Sequence, residues 1–357
     1  MLRPVFAPFA AVYGMIVAIR HKLFDWKILR SEEFGIPVVC VGNLTVGGTG
    51  KTPVTEMLVG YLRHDYRVAV LSRGYGRRTR GFGVVEVNSP VRAVGDEPKQ
   101  IKLRYPDVTV TVCEKRTEGI HRIRERFPEV NLIILDDGFQ HRYVEPWVNI
   151  LLMDYNNPIY RDKMLPWGRL RDSVSQLYRA HFVVVTKCPA SLNPLDMRIV
   201  NKSLNLYPYQ SLFFTQMEAE AARPLFPDVA VSPVLESGAP VVAMSGIASP
   251  ETFVHSLEER YHVVSKLSFG DHHTYRIKDL RTMARALDAA PEGTVIVMTE
   301  KDAVKLTNRR RIPESIQRRL YVQPIKVRFV QEAEEEFLRK LNCYVKSNPK
   351  YSVLHPK

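Results

Sequence analysis

"IPVVCVGNLTVGGTGKTP", residues 36–53, joins an unbroken apolar run to a glycine-rich turn and ends on a lysine, a threonine and a proline. A run apolar at nearly every position predicts a strand buried on both faces, the habit of a parallel sheet covered by helices. The turn follows the G-x-x-x-x-G-K-[ST] phosphate-loop pattern, with Thr45 where the first glycine would stand. Gly47 and Gly48 let the backbone wrap so that its N–H groups point inward at phosphate oxygens. Thr45, Val46, Gly47, Gly48, Thr49, Gly50, Lys51 and Thr52 are therefore the candidate nucleotide cradle. In it Lys51 would bridge the β- and γ-phosphates and the Thr52 hydroxyl would ligate Mg²⁺. Pro53 suits the first turn of the following helix, where a missing N–H costs nothing.

Outward from this stretch, short Val- and Ile-rich runs recur between longer amphipathic segments. They are "RVAVLSR" (67–73), "VTVTVC" (108–113), "NLIILDDG" (131–138), "NILLMD" (149–154) and "FVVVTK" (182–187). Such alternation predicts a doubly wound α/β domain, here a P-loop NTPase-type parallel sheet sandwiched by helices. Residues 186–240 are richer in Pro, Asn and Ser and look transitional. A second series, "PVVAMSGI" (240–247), "YHVVSKLSF" (261–269) and "TVIVMTEKD" (294–302), predicts a second, smaller α/β domain. The expected organisation is a hydrophobic N-terminal helix over 1–25, a nucleotide-binding domain over 26–212, a lid-like domain over 213–346, and a frayed tail over 347–357.

The 357 residues are 45% hydrophobic and 25% charged, as in ordinary folded proteins. Four cysteines without a C-x-x-C pair argue against a disulfide framework or a zinc site. Fifty-one Lys and Arg against 38 Asp and Glu give a net charge of +13, a field that favours anionic partners. Residues 4–19, "PVFAPFAAVYGMIVAI", carry no charge and precede "RHKLFDWKILR". A helix of that length reaches roughly 24 Å, short of a hydrocarbon core of about 30 Å. A secretory signal fits poorly, because a basic cluster stands where a cleavage site should be. The helix either lies in an anionic membrane interface or covers part of the core.

Other stretches carry chemistry. "LIILDDGFQHR" sets Asp136 and Asp137 at the carboxyl end of a strand, the edge where parallel sheets bind ligands. One of the two can reach Mg²⁺ while the other holds a neighbour. "SRGYGRRTRG" (72–81) sets Arg73, Arg77, Arg78 and Arg80 among glycines, which suits either a phosphate-bearing ligand or a solvated loop. "VGDEPKQ" (94–100) offers Asp96 and Glu97, with Asp96 as a helix N-cap the plain alternative. "FGDHHTY" (269–275) offers His272 beside Asp271, a combination able to tune a general base. Guanine recognition through N/T-K-x-D is missing: "TKCP" (186–189) has Pro189 for the aspartate, and "TEKD" (299–302) has an extra residue. ATP is therefore favoured over GTP.

Taken in order, "VGNLTVGGTGKTP", "SRGYGR", "VGDEP", "LDDGFQHR", "LPWGRLRD" and "DHHTY" resemble the tetraacyldisaccharide 4′-kinases of lipid A biosynthesis. The likeness runs from residue 36 to about 305, and in that family the phosphate loop opens with Ser or Thr, as Thr45 does here. The resemblance implies transfer of the ATP γ-phosphate to the 4′-hydroxyl of an acylated glucosamine disaccharide 1-phosphate, with Mg²⁺. It implies work at the cytoplasmic face of the bacterial inner membrane, on a lipid substrate at the membrane surface, by a peripheral protein. Carried onto this chain, it makes Asp96 the base, assisted by His272, and Glu97, Asp136 and Asp137 acidic partners of the metal. Gln140 and His141 would line the site, Arg73 and Arg77 would face substrate, and Arg171 would stabilise phosphate charge. The family usually has glutamate after that arginine, so Asp172 is a departure.

Two rival readings remain. A phosphate-loop kinase of a soluble acceptor would keep its kcat/KM without residues 1–25. A membrane-associated ATPase switch would dimerise with ATP, but the second lysine such loops carry is replaced here by Val46. No aromatic-plus-basic nucleic-acid motif appears, and no protein partner is evident.

Overall fold

The apolar run before the phosphate loop forms strand β1 (Val38–Asn43), buried at every position. Val39 and Val41 join the core on one side of the sheet, Val38 and Cys40 the core on the other, as the period of two requires. The computed structural model describes residues 4–247, 250–271, 273–307 and 309–347.

β2 (Val68–Ser72), β3 (Gly83–Val85), β4 (Thr109–Val112), β5 (Leu132–Asp136), β6 (Val148–Asp154), β7 (Phe182–Thr186) and β8 (Ser211–Ala219) follow in the same sheet. The chain then builds a second sheet from β9 (Arg223–Pro224), β10 (Pro240–Ser245), β11 (His262–Ser268), β12 (Val295–Thr299) and β13 (Leu320–Gln323). It returns to the first sheet through β14 (Ile325–Phe329). The nine-stranded order is β14-β8-β7-β6-β1-β5-β2-β4-β3, and the five-stranded order is β11-β10-β12-β13-β9. Edge strands β14, β3 and β9 run antiparallel to their neighbours, and the remaining pairs are parallel. Crossover helices therefore cover both faces, as the buried runs predict.

Helices Lys51–Leu62, Asp96–Arg104 and Glu334–Lys346 pack on one face of the larger sheet through Leu58, Ile101 and Phe337. Helices Arg116–Arg126 and Pro194–Leu204 cover the other through Ile120 and Val200. On the smaller sheet, Ile277–Asp288 and Pro250–Glu258 take opposite faces through Met283 and Leu257.

The break expected between residues 212 and 213 differs from this strand pairing. β8 continues to Ala219 in the larger sheet, β14 pairs Ile325 with Ala219, and Phe337, Leu341 and Val345 sit in the larger core. The smaller sheet spans Arg223 to Gln323. Two strand ends cross side by side between the sheets, with Glu220 N donating to Pro324 O at 2.9 Å. The Pro- and Asn-rich stretch after β7 is part of the larger unit because its apolar residues, Val200 and Leu204, have a sheet face to cover.

Helix Ala7–Asp25 turns Ala10, His21 and Phe24 inward and leaves Phe9, Val12, Met15, Ile16 and Ile19 more than half exposed, at 52–64%. Among the described residues no helix is long and apolar enough to cross a membrane. His272 and the tail beyond Ser347 lie outside the described residues.

Candidate active site

The pairing of Val41 with Asp136 sets the end of β5 beside the start of the phosphate loop. The loop itself is strapped on two sides. Thr45 bridges Leu170 in antiparallel fashion, Val46 N donates to Arg169 O at 2.8 Å, and Arg171 N donates to Leu44 O at 2.9 Å. That contact carries Arg171 from far along the chain to the loop. From the other side Thr186 Oγ1 donates to Thr49 O at 2.9 Å, and Lys187 Nζ donates to Gly48 O. Beneath it Asn43 Nδ2 donates to Thr49 Oγ1 at 2.9 Å and to Thr45 Oγ1 at 3.3 Å. Gly50 enters the helix Lys51–Leu62 at φ +78°, and a Cβ there would lie 2.5 Å from Met217 Cε. The left-handed backbone favours glycine at that position, while the Met217 methyl is the far end of a flexible side chain. Thr52 lies in the first turn of the helix, half-buried.

Lys51 Nζ lies 3.9 Å from Asp137 Oδ1. Arg171 forks onto the same carboxylate, NH1 to Oδ2 at 3.1 Å and NH2 to Oδ1, and NH2 also reaches Asn43 Oδ1 at 2.5 Å. Burial alone would raise the Asp137 carboxyl, but Lys51 and Arg171 outweigh it and hold it below the usual range. Asp137 itself sits at φ +50°, a left-handed turn that aspartate tolerates. Its neighbour Asp136 points the other way into the protein, accepting from Thr55 Oγ1 at 3.2 Å and Ser72 Oγ at 3.1 Å. Burial and then the Asp137 charge push the Asp136 carboxyl up.

Facing them is the helix Asp96–Arg104. Its N-cap is Gly95 at φ +92°, so Asp96 is the first helical residue rather than the cap. Asp96 is buried, its Oδ1 accepts from Glu97 N at 3.1 Å, and its Oδ2 lies 4.0 Å from Lys301 Nζ of the smaller sheet. Glu97 is half-buried. Burial, with Asp136 and Asp96 adding repulsion, pushes its carboxyl up to about 7.

Gln140 Nε2 donates to Asn43 O at 3.2 Å, beside the loop. Burial and then Arg116, Arg73 and Arg20 lower His141 to about 4, so its ring is neutral at pH 7. Arg73 is exposed and directly follows Ser72, whose hydroxyl donates to Asp136. Arg77 is spent within its own loop, donating to Glu114 Oε1 at 2.6 Å and to Gly81 O at 2.6 Å.

The family model described as tetraacyldisaccharide-1-P 4'-kinase matches residues 2–342. The chain belongs to this family. It is 42% identical over 350 residues to the tetraacyldisaccharide 4'-kinase of Phocaeicola vulgatus, covering 97% of this chain and 96% of that one. It is 38% identical to that of Flavobacterium johnsoniae, covering 98% of each. A crystal structure of LpxK from Aquifex aeolicus in complex with ATP superposes with a TM-score of 0.75, at 28% identity and over 97% and 99% of the two chains.

Several residues beside the loop were given no role by the motifs that contain or flank them. Asn43, Thr55, Ser72 and Lys187 meet atoms distant in the chain. Arg116 is fully buried, donating to Asp136 O at 2.9 Å and to Cys113 O at 2.6 Å. Thr186 and Lys187 had one available signal, the T-K pair at the end of β7.

Proposed function

We propose that this chain transfers the γ-phosphate of ATP to the 4′-hydroxyl of tetraacyldisaccharide 1-phosphate, a lipid A precursor, at the cytoplasmic face of the inner membrane. The observation that carries the reading is the convergence of Lys51 and Arg171 on Asp137 beside a phosphate loop, with Asp96 on the facing helix.

Magnesium fits the donor set. Burial, with added repulsion from Asp137 at Asp136 and from Asp136 and Asp96 at Glu97, raises both carboxyls, and a hard divalent cation relieves such repulsion. Among the described residues no three His, Cys, Asp or Glu side chains form a ready-made cage, which suits an ion that keeps its waters and binds through substrate phosphates. Thr52, Glu97, Asp136 and Asp137 would hold it, directly or through water. When bound it would neutralise charge on the transferring phosphoryl group.

The chain's own part follows. Loop N–H groups and Lys51 hold the β- and γ-phosphates, and Arg171 steadies the charge that spreads over the transferring oxygens. Asp96 takes the proton of the 4′-hydroxyl as its oxygen bonds to the γ-phosphorus and the bond to ADP breaks, with His272 assisting. Gln140 and His141 line the acceptor side. Arg73 meets the substrate's negative charge, whereas Arg77 shapes its loop. The unit spanning Arg223 to Gln323 closes as a lid, which keeps water from becoming the acceptor. Helix Ala7–Asp25 lies on the membrane.

The test mixes the full-length protein with labelled ATP, Mg²⁺ and tetraacyldisaccharide 1-phosphate in detergent. Label is expected at the 4′ position, and Lys51→Ala should lower kcat by about 10²-fold or more. Hydrolysis of ATP with no label on the lipid would remove the acceptor assignment and bring the soluble-acceptor and switch readings forward.

A further inference from the structure

The stretch TEKD, residues 299–302, fails as a guanine motif and has no part in the mechanism above. It forms the turn from β12 into the short helix Glu300–Ala303. Thr299 Oγ1 accepts from Asp302 N at 3.2 Å and donates to Asp302 Oδ2 at 2.7 Å. Asp302 is fully buried and also receives Gly246 N at 2.8 Å and Lys305 Nζ at 3.2 Å. The turn is thereby fixed to the end of β10 by charge-assisted hydrogen bonds.

Two side chains leave this platform toward the larger sheet. Glu300 Oε1 lies 3.5 Å from Arg104 NH1, and the same nitrogen donates to Glu56 Oε2 at 2.9 Å, on the helix that begins at Lys51. Lys301 Nζ lies 3.0 Å from Asp271 Oδ1 and 4.0 Å from Asp96 Oδ2. Asp96 and Arg104 are the first and last residues of one helix. Consecutive residues of the turn after β12 thus reach both ends of the helix that bears the base.

We propose that Glu300 and Lys301 are positioning residues for the phosphoryl transfer: the 299–302 turn grips the helix Asp96–Arg104 at two points and sets Asp96 against the acceptor hydroxyl. One anchor would fix a distance. Two anchors on a rigid helix also fix its rotation, which decides where a carboxylate oxygen stands. The proposal rests on reading Asp96 as the base. Displacing a reacting group by about 1 Å can cost about 10²-fold in rate, so an ammonium that touches no substrate can still govern kcat.

Steady-state phosphoryl transfer by the full-length protein is compared for Lys301→Gln, Lys301→Arg, Glu300→Gln and Asp96→Asn, with Tm and ATP Kd measured on each. Lys301→Gln is expected to lower kcat by about 10- to 10²-fold while KM for ATP and Tm stay near wild type. Lys301→Arg should recover most of that loss, because a guanidinium still spans both carboxylates. Glu300→Gln should give a smaller loss in kcat, and Lys301→Gln should add nothing in the Asp96→Asn background. Equal losses in the Gln and Arg variants, in step with Tm, would overturn the proposal. So would a kcat within about twofold of wild type in Lys301→Gln, or a further loss on top of Asp96→Asn. Asp96→Asn alone reports on the base. Near-wild-type kcat there removes the base and, with it, the positioning role. Loss there with an unaffected Lys301→Gln leaves the base standing and removes the positioning role alone.

Discussion

Asp172, one position after Arg171, is shut away from solvent. Its Oδ1 lies 2.6 Å from His21 Nε2 and accepts from Ser173 N at 2.8 Å, while Arg142 NH1 stands 3.1 Å from His21 Nδ1. The aspartate that departs from the family's usual glutamate therefore has a local reason: it meets a histidine from the N-terminal helix. Tyr13 of the same helix donates to Arg171 O at 2.9 Å, so the helix is tied twice to the stretch that holds Arg171 and Asp172. His21→Ala leaves the Asp172 carboxylate buried with its Arg179 contact at 4.0 Å. We expect a loss of about 3 kcal/mol in urea unfolding. Adding Asp172→Asn should restore part of it, since no charge then remains buried, and failure to restore any would assign the cost to packing. The site was legible in the sequence wherever its chemistry is contiguous, as with Lys51 and Thr52 or Asp136 and Asp137. Asn43, Arg116 and Lys187 act on partners brought near by the fold, and no local pattern names those partners. Arg77, expected to face substrate, pairs with Glu114, which reaches it from β4's far end and which the local sequence does not place beside it.

At the scale of elements, the strands read most easily are those buried on both faces, whose residues leave no ambiguity about their surroundings. β14, at an edge, leaves Ile325, Lys326 and Arg328 exposed, and β3 and β9 are too short to show a period. The strand pairing differs from a break between residues 212 and 213 because β8 runs on to Ala219 and pairs with β14 there. Helix Lys51–Leu62 carries a feature equally hidden there, the buried Glu56. Burial, then Glu300, push its carboxyl from an ordinary 4.5 up to about 7 against the pull of Arg104. Burial raises Glu300 as well, so two carboxylates share one guanidinium. Between pH 4.5 and 7 the folded chain keeps on Glu56 a proton that the unfolded chain has released, so this group's contribution to stability falls as pH rises through that window. Glu56→Gln removes the titration. Its Tm relative to wild type should rise by about 2–4 °C between pH 5 and pH 8 in thermal scans. A difference that stays flat would mean that Glu56 is ionised against Arg104 throughout.

For the whole molecule, a net charge of +13 and an apolar helix face combine into one expectation. Phe9, Val12, Ile16 and Ile19 follow helical spacing and are exposed together, and Trp26 and Ile28 extend the surface at 67% and 64% exposure. Exposed Lys22, Lys27 and Arg30 flank it. A bulky apolar stripe bordered by cations is the arrangement that settles into an anionic bilayer interface, with the chains in the acyl boundary and the ammonium groups among the headgroups. Because Tyr13 and His21 bind the opposite side of this helix to Arg171 and Asp172, docking would also present the catalytic cleft to a lipid acceptor at a set height. The double variant Phe9→Ser/Ile16→Ser removes apolar area without touching those contacts. Its binding to vesicles of phosphatidylethanolamine and phosphatidylglycerol, measured by sedimentation, should weaken by roughly tenfold or more. Wild-type binding should itself fall as salt rises, since the basic flank is screened. Turnover of acceptor embedded in the same vesicles should drop in parallel, while turnover of detergent-dispersed acceptor changes little. Unaltered vesicle binding would make the helix a cover for the core and leave the membrane contact to another face; weakened binding with full turnover in vesicles would separate docking from catalysis.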